Sequence, residues 1–400
     1  MRLTLRSCAI ARPATSLITG TVVATATMLL TACQDQGGAT LAPTAAAGLP
    51  APMLPAVSFP YADNRVAIPA HIRQMPPGAP AGLIPGDNTP AGNPITDAGA
   101  TLGRVLFYDR RLSVNDRVSC ASCHQQRFGF SDTARVSRGF AGALTARHSM
   151  ALAYARVYPN GRFFWDERAP TLEAQVLLPI QDPGEMGLTL DALLTKLRAT
   201  PYYAPLFTAA FGTPEISTER VSRALAQFVR ALLPTASRFD RAFVAGTAVP
   251  NFAAVFTPEE QVGEQLYRGR AGCARCHGQA AQVMVAPANN GLDATPTDAG
   301  AGQGRFKAPS LRNIAVRPPY MHDGRFRTLE EVVAFYDSGV QAGPATDPRL
   351  LRAGPGSPPA QLGLSAAERA ALVAFLRTLT DEAFLTDPRF ADPFPAGGAP

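Results

Sequence analysis

Lysine is nearly missing from this chain. Of its 37 basic residues, only Lys196 and Lys307 are not arginine. The arginines are scattered and form no basic run, so the net charge of +6 does not read as a nucleic-acid footprint. A GC-rich coding bias toward Arg, Ala, Gly and Pro accounts for the excess. Strand-like alternation is almost absent, which argues against a sandwich or barrel. No glycine period runs through the sequence, which excludes collagen. A single apolar stretch approaches spanning length, which excludes a multispan membrane protein. What is present is 46% hydrophobic residues over 400 positions, enough for a sizeable core and two to three domains. The 37 prolines and 34 glycines imply long irregular loops.

The N-terminus carries Arg2, Arg6 and Arg12, then an apolar stretch from about Leu17 to Ala32, and no acid before Asp35. This is the n-region and h-region of a signal peptide. Leu30-Thr31-Ala32-Cys33 is similar to a bacterial lipobox, which implies cleavage before Cys33 and lipidation of its thiol. A plain cleaved signal and a retained anchor helix are the alternatives. Cleavage removes three arginines and no acid, so the charge falls from +6 to +3. Residues 1–32 are thus expected to be signal peptide and residues 33–75 a flexible tether.

Four of the six cysteines then remain, as Cys120-Ala121-Ser122-Cys123-His124 and Cys273-Ala274-Arg275-Cys276-His277. C-x-x-C-H is the attachment signal for haem c. Two thiols one helical turn apart can each form a thioether to a haem vinyl group, and the following His is placed to ligate the iron. A zinc site would have to join pairs about 150 residues apart. A thioredoxin-like pair would need a βαβ context that is not seen. Export, two copies and the shared His favour two covalently bound haem c groups.

Each site follows the same short pattern, Gly103-x-x-Leu106-Phe107 in one case and Gly263-x-x-Leu266-Tyr267 in the other. Helix signals are clear elsewhere. Thr257-Pro258-Glu259-Glu260, Thr328 to Glu331 and Ser365 to Glu368 read as capped helix starts. Ser217 or Thr218 opens an amphipathic run through Val221, Leu225, Phe228, Val229 and Leu232. The expected fold is all-α, with two cytochrome c-like haem domains and long irregular loops. The domains are expected at 76–245 and 251–387, with a Pro-rich tail at 388–400.

From about Thr96 to Thr380 the sequence resembles the bacterial di-haem cytochrome c peroxidase family, including its MauG-like branch. The motifs that carry the resemblance, beside the haem sites, run from Leu106-Phe107-Tyr108-Asp109-Arg110-Arg111-Leu112-Ser113 to Phe335-Tyr336. Between them lie Phe164-Trp165-Asp166-Glu167-Arg168, Pro179-Ile180, Glu185-Met186-Gly187, Ala308-Pro309-Ser310-Leu311-Arg312-Asn313 and Pro319-Tyr320-Met321-His322-Asp323-Gly324. The resemblance implies a peroxide site at the N-terminal haem, with His124 as proximal ligand. It places Glu185 and Gln175 as distal acid-base and amide, and Trp165 between the haems. The haem of His277 becomes the electron-transfer centre. Without the family, Glu185 would read as a loop acid, Trp165 as a core aromatic and Gln175 as a helix-surface amide.

Two departures matter. Peroxidase members carry a distal His in a loop where this chain has Arg138, so the haem at His124 is expected to be five-coordinate and open. His148 stands where the family often has an Asn that helps hold an interdomain calcium, which puts that calcium in doubt. His148 itself reads as structural, and His71 as incidental. At the second haem, Tyr336 falls where peroxidase members have a Met ligand, as in MauG-like proteins. Met321 and no protein ligand are the alternatives, and His322 is not assigned as axial. A hard Tyr oxygen favours the higher oxidation states of iron.

The main reading is a lipid-tethered peroxidase on the periplasmic side. It would reduce hydrogen peroxide with electrons from a small c-type cytochrome or cupredoxin. The alternative within the family is a MauG-like oxidase of a protein or bulky substrate via high-valent iron. Outside it stand a non-catalytic di-haem electron-transfer cytochrome and a zinc or disulfide interaction module. No nucleic-acid partner is expected.

Overall fold

A glycine in each half lets two helices touch backbone to backbone. In the computed structural model, which describes residues 48–73, 86–278, 281–284 and 286–395, the longer helices are α1 (Asp97–Tyr108), α2 (Leu190–Arg198), α3 (Tyr203–Phe211), α4 (Thr218–Ala231), α5 (Pro258–Arg268), α6 (Leu329–Ala334) and α7 (Ala366–Arg377). Among the described residues there are no strands, only isolated bridges. The all-α expectation is met. Helix α1 packs on α4 in the N-terminal half, and α5 packs on α7 in the C-terminal half.

The short repeat marks these two crossings. A Cβ on Gly103 would lie 2.0 Å from the carbonyl oxygen of Ala224, and one on Gly263 would lie 1.9 Å from that of Ala371. Either contact is far inside van der Waals range, so only glycine fits. The partner helices match as well. Ala224, Leu225, Phe228, Val229 and Leu232 correspond in spacing to Ala371, Leu372, Phe375, Leu376 and Leu379, and all are buried. Each half is thus the same helix pair repeated, with its own C-x-x-C-H segment between the two helices in sequence.

The helix starts follow their capping residues. Ser217 accepts from the Arg220 N–H, and full capping boxes join Thr257 with Glu260, Thr328 with Glu331 and Ser365 with Glu368. Helix α6 does not end in an ordinary turn. It runs into a π-turn, Phe335–Gly339, which carries Tyr336.

The expected boundaries need correction at both ends. The signal peptide and Cys33 lie outside the described residues. Residues 48–73, expected as tether, pack on the two halves. Tyr61 sits in the N-terminal core, its N–H donating to the Asp97 carboxylate at 2.7 Å. His71, expected to be incidental, is buried, stacks on Phe243 and meets Asp240 at 2.8 Å. At the other end Phe384 and Phe390 pack into the N-terminal core, not the C-terminal one. Tyr108 donates to the Phe390 carbonyl at 2.6 Å, and Gln126 to those of Phe384 and Asp387. Single aromatic residues in proline-rich stretches carry no periodic signal, so their burial is decided by what lies across from them.

Candidate functional site: two cavities sharing a wall

Each C-x-x-C-H segment opens onto its own cavity. The N-terminal one has a volume of about 750 Å³ and the C-terminal one about 330 Å³. Cys120–Cys123 forms one helical turn capped by Ser119, and Cys273–Arg275 a 3-10 turn. Burial pushes the Cys120 and Cys273 thiols up to about 12, which is the setting of unreactive thiols and not of thiolate redox pairs. The two histidines are held alike. His124 Nδ1 donates to the Phe130 carbonyl at 3.1 Å, and His277 Nδ1 to that of Gln282 at 3.3 Å. That bond orients the ring and leaves Nε2 as the ligating atom. Burial holds both imidazoles near 4, so they are neutral at working pH, as metal ligands must be.

These walls fit a haem apiece. Cys273, Cys276 and His277 line the C-terminal cavity; Cys123 and His124 line the N-terminal one, with Cys120 on a smaller pocket that shares Cys123 and His124 with it. The C-terminal wall also holds an orphaned polar atom, Arg317 Nε, which is buried without a partner. Cys120, Cys123 and His124 would hold the first haem, and Cys273, Cys276 and His277 the second.

Glu185 and Gln175 both line the N-terminal cavity with His124. Glu185 sits in a tight turn. Its N–H donates to the Asp182 carbonyl, and the Gly187 N–H donates to the same oxygen at 2.9 Å. The 137–142 loop presses on that turn, with the Phe140 N–H donating to the Glu185 carbonyl at 2.8 Å. Gly139 and Gly187 make the approach feasible. A Cβ on Gly139 would meet the Gly184 oxygen at 2.0 Å, and one on Gly187 the Phe140 ring at 2.4 Å. Burial first, and Asp182 second, raise the Glu185 carboxyl above its ordinary value, with Arg168 pulling the other way. Arg138 is exposed and lines only the smaller pocket beside Cys120 and Glu185, its guanidinium donating to the Gly142 carbonyl at 3.3 Å.

Trp165 lines both cavities. Its indole N–H donates to the His148 carbonyl at 2.8 Å, which sets the ring. His148 is engaged at both ring nitrogens, by the Ala134 carbonyl at 3.1 Å and the Ser131 hydroxyl at 3.4 Å, so it is a structural side chain. His322 stacks on Phe306 at 3.6 Å and meets the Trp165 ring edge-on.

Tyr336 and Met321 both line the C-terminal cavity. Asn290 Nδ2 lies 3.3 Å from the Tyr336 hydroxyl and 3.5 Å from Met321 Sδ. Burial pushes the Tyr336 phenol up to about 12, and Asn290 opposes that. Sequence reasoning missed Lys307 and Arg317 on this wall. It also missed Arg147, which bridges Asp166 and Asp298 beside Trp165. Only Lys307 carried a signal, as one of two lysines in an arginine-rich chain.

Residues 97–248 match the family model for di-haem cytochrome c peroxidase, and residues 261–380 that for cytochrome c. The methylamine utilization protein MauG of Methylorubrum extorquens is 36% identical over 306 residues, covering 73% of this chain and 81% of that protein. The cytochrome c551 peroxidase of Nitrosomonas europaea is 33% identical over 255 residues, covering 58% and 71%. The crystal structure of a MauG-like protein associated with microbial copper homeostasis superposes with a TM-score of 0.67 at 35% identity. It covers 80% of this chain and 99% of that one.

Proposed function

The chain belongs to the di-haem cytochrome c peroxidase family, and from that premise we propose how its two cavities divide the reaction. It is an oxidoreductase of the cytochrome-c peroxidase type with two haem c groups. When bound, the haems supply the iron redox chemistry that cleaves the peroxide bond and relays electrons.

Reduction of hydrogen peroxide to two waters consumes two electrons and two protons. The chain's own residues manage the protons and the geometry. The Glu185 carboxylate takes a proton from the near peroxide oxygen and delivers it to the far one, which becomes the first leaving water. A half-buried carboxyl with a raised pKa suits that task. The Gln175 amide orients the peroxide by hydrogen bonding. His124, oriented by the Phe130 carbonyl, would hold the iron of the first haem. Trp165, fixed by its bond to the His148 carbonyl, lies on the electron path from the haem of His277. Tyr336 would help hold the second haem by offering its phenol oxygen to the iron, with Met321 as the competing donor.

The observation that carries this reading is shared lining. Glu185 and Gln175 face the cavity of His124, Tyr336 faces that of His277, and Trp165 faces both. A MauG-like oxidase acting on a protein or bulky substrate is the second reading, and the Tyr336 hydroxyl in the C-terminal cavity favours it.

The protein acts on the periplasmic side, exported by its N-terminal signal and tethered through a lipid on Cys33. Among the described residues no helix is long and apolar enough to cross a membrane. Its donor is a small c-type cytochrome or cupredoxin, and no calcium is included in the scheme.

Stopped-flow absorbance on the diferric protein tests the reading. Stoichiometric peroxide is added with and without a reduced c-type cytochrome. Rapid, repeated oxidation of the cytochrome is the expected result. An oxidised state that persists for minutes while the cytochrome stays reduced would sink the peroxidase reading and favour the second one.

A further inference from the structure

Five basic side chains other than histidine stand on the wall of the C-terminal cavity: Arg270, Arg275, Lys307, Arg317 and Arg349. Three are accounted for. Arg270 pairs with Glu368, Arg349 pairs with Asp347 at 2.6 Å, and Arg275 is exposed. Lys307 and Arg317 are different. Each is only 6% exposed. Lys307 Nζ has one backbone acceptor, the Arg162 carbonyl at 3.3 Å, and lies 3.5 Å above the Tyr158 ring. Arg317 donates from Nη2 to the Ser310 carbonyl, and its Nε has no partner.

Most other buried cations of this molecule meet acids. Arg156 meets Asp63 and Asp87, Arg230 meets Glu173, Arg312 meets Asp240, and Lys196 meets Asp116. Burying a cation without an anion is expensive, and two on one cavity wall compound the cost. The acid whose charge acts on Lys307 is Glu167, which is already bonded by the Tyr158 hydroxyl and by Asn160 at 2.6 Å. The titratable groups that face Arg317 are His148, His277 and Tyr320, none of them an acid at neutral pH. The missing anions therefore come from what fills the cavity. A haem carries two carboxylate side chains on the edge away from its thioethers.

We propose that Lys307 and Arg317 clamp the two carboxylates of the haem held by His277. The clamp turns that haem's acidic edge toward the wall shared with the first cavity. The placement of Lys307 supports this direction. It lines both cavities, and its backbone N–H donates to the Trp165 carbonyl at 2.8 Å. The second haem would thus present one defined edge to Trp165, held by two charges rather than by packing alone. The clamp rests on the haem assignment and on the path through Trp165 proposed above.

Resonance Raman spectroscopy of the fully haem-loaded protein reads this directly, through the bending bands of the haem carboxylates. The wild-type second haem is expected to show them at the ion-paired position. Lys307→Met and Arg317→Met are each expected to move them toward the solvent-exposed position and to lower that haem's midpoint potential. Arg317→Lys, which keeps the charge, is expected to restore most of both. The proposal is overturned if the wild-type bands already lie at the solvent-exposed position, a result that needs no variant to fold. It is also overturned if variants carrying both haems change neither bands nor potential, or change only those of the His124 haem. A spectrum that responds to added formate while the haem bands stay solvent-exposed would assign the pair to an external carboxylate instead. Failure of peroxide turnover would sink the peroxidase reading without moving these bands.

Discussion

The two halves use one scaffold for two different cavities. Both cross a pair of helices at a glycine, α1 on α4 and α5 on α7, and both orient a histidine through a backbone carbonyl. They part beyond the histidine. The N-terminal cavity is the larger and is faced by Glu185 and Gln175. The C-terminal cavity is smaller, and Tyr336 and Met321 lie on its wall among Leu311, Ile314, Leu372 and Leu376. The repeated part is what attaches a cofactor. The part that differs sits in the short helix Leu172–Gln175, a tight turn at Glu185 and a π-turn, outside the crossing helix pair.

Removing an attachment site should separate the halves most sharply. Cys120→Ala with Cys123→Ala should leave one haem per chain by haemochrome assay and abolish peroxide reduction. The mirror pair at Cys273 and Cys276 should also leave one haem, but stop electron delivery and not peroxide binding. Glu185→Gln comes next. It should cut turnover by about a hundred- to ten-thousand-fold while both haems remain. The acid limb of the pH profile follows from the same carboxyl. Burial raises its pKa, and it must be ionised to take the peroxide proton. Turnover should therefore fall as pH drops through a point above about 4.3, the ordinary Glu value, and the Gln variant should lose that limb.

The shared scaffold can be broken in either half. Gly103→Ala and Gly263→Ala should each destabilise by about 1–3 kcal/mol in thermal unfolding, because the new methyl meets a fixed backbone oxygen. Unequal losses would show that the crossings are not equivalent. His71→Ala should cost about 1–3 kcal/mol, since the segment would lose its buried bond to Asp240 while Arg312 still holds that acid. Arg377→Ala is the smallest change. Its pair with Glu330 has side chains 62% and 58% exposed, so the loss should stay below about 1 kcal/mol.

Much of the plan was legible in residues one or two turns apart. The C-x-x-C-H segments, the capping boxes at Thr257, Thr328 and Ser365, and the Ser217 cap depend only on local geometry, and each forms as its residues imply. The glycine repeat was visible as a pattern, but not its reason, because the carbonyls of Ala224 and Ala371 lie more than a hundred residues away in sequence. Trp165 and Glu185 were legible only through family motifs. One tryptophan and one loop acid carry no period of their own.

Local sequence alone determined that this chain attaches two haems and builds them into a helical body, because thioether spacing and helix capping are short-range chemistry. Tertiary structure decided the rest. It placed Trp165 on both cavity walls and brought Phe384 and Phe390 back to the N-terminal core. It drew residues 48–73 onto the body and left Lys307 and Arg317 without acids beside a cavity. Burial and charge pairing between distant segments have no local signature, since they depend on which side chains the folded chain sets across from one another.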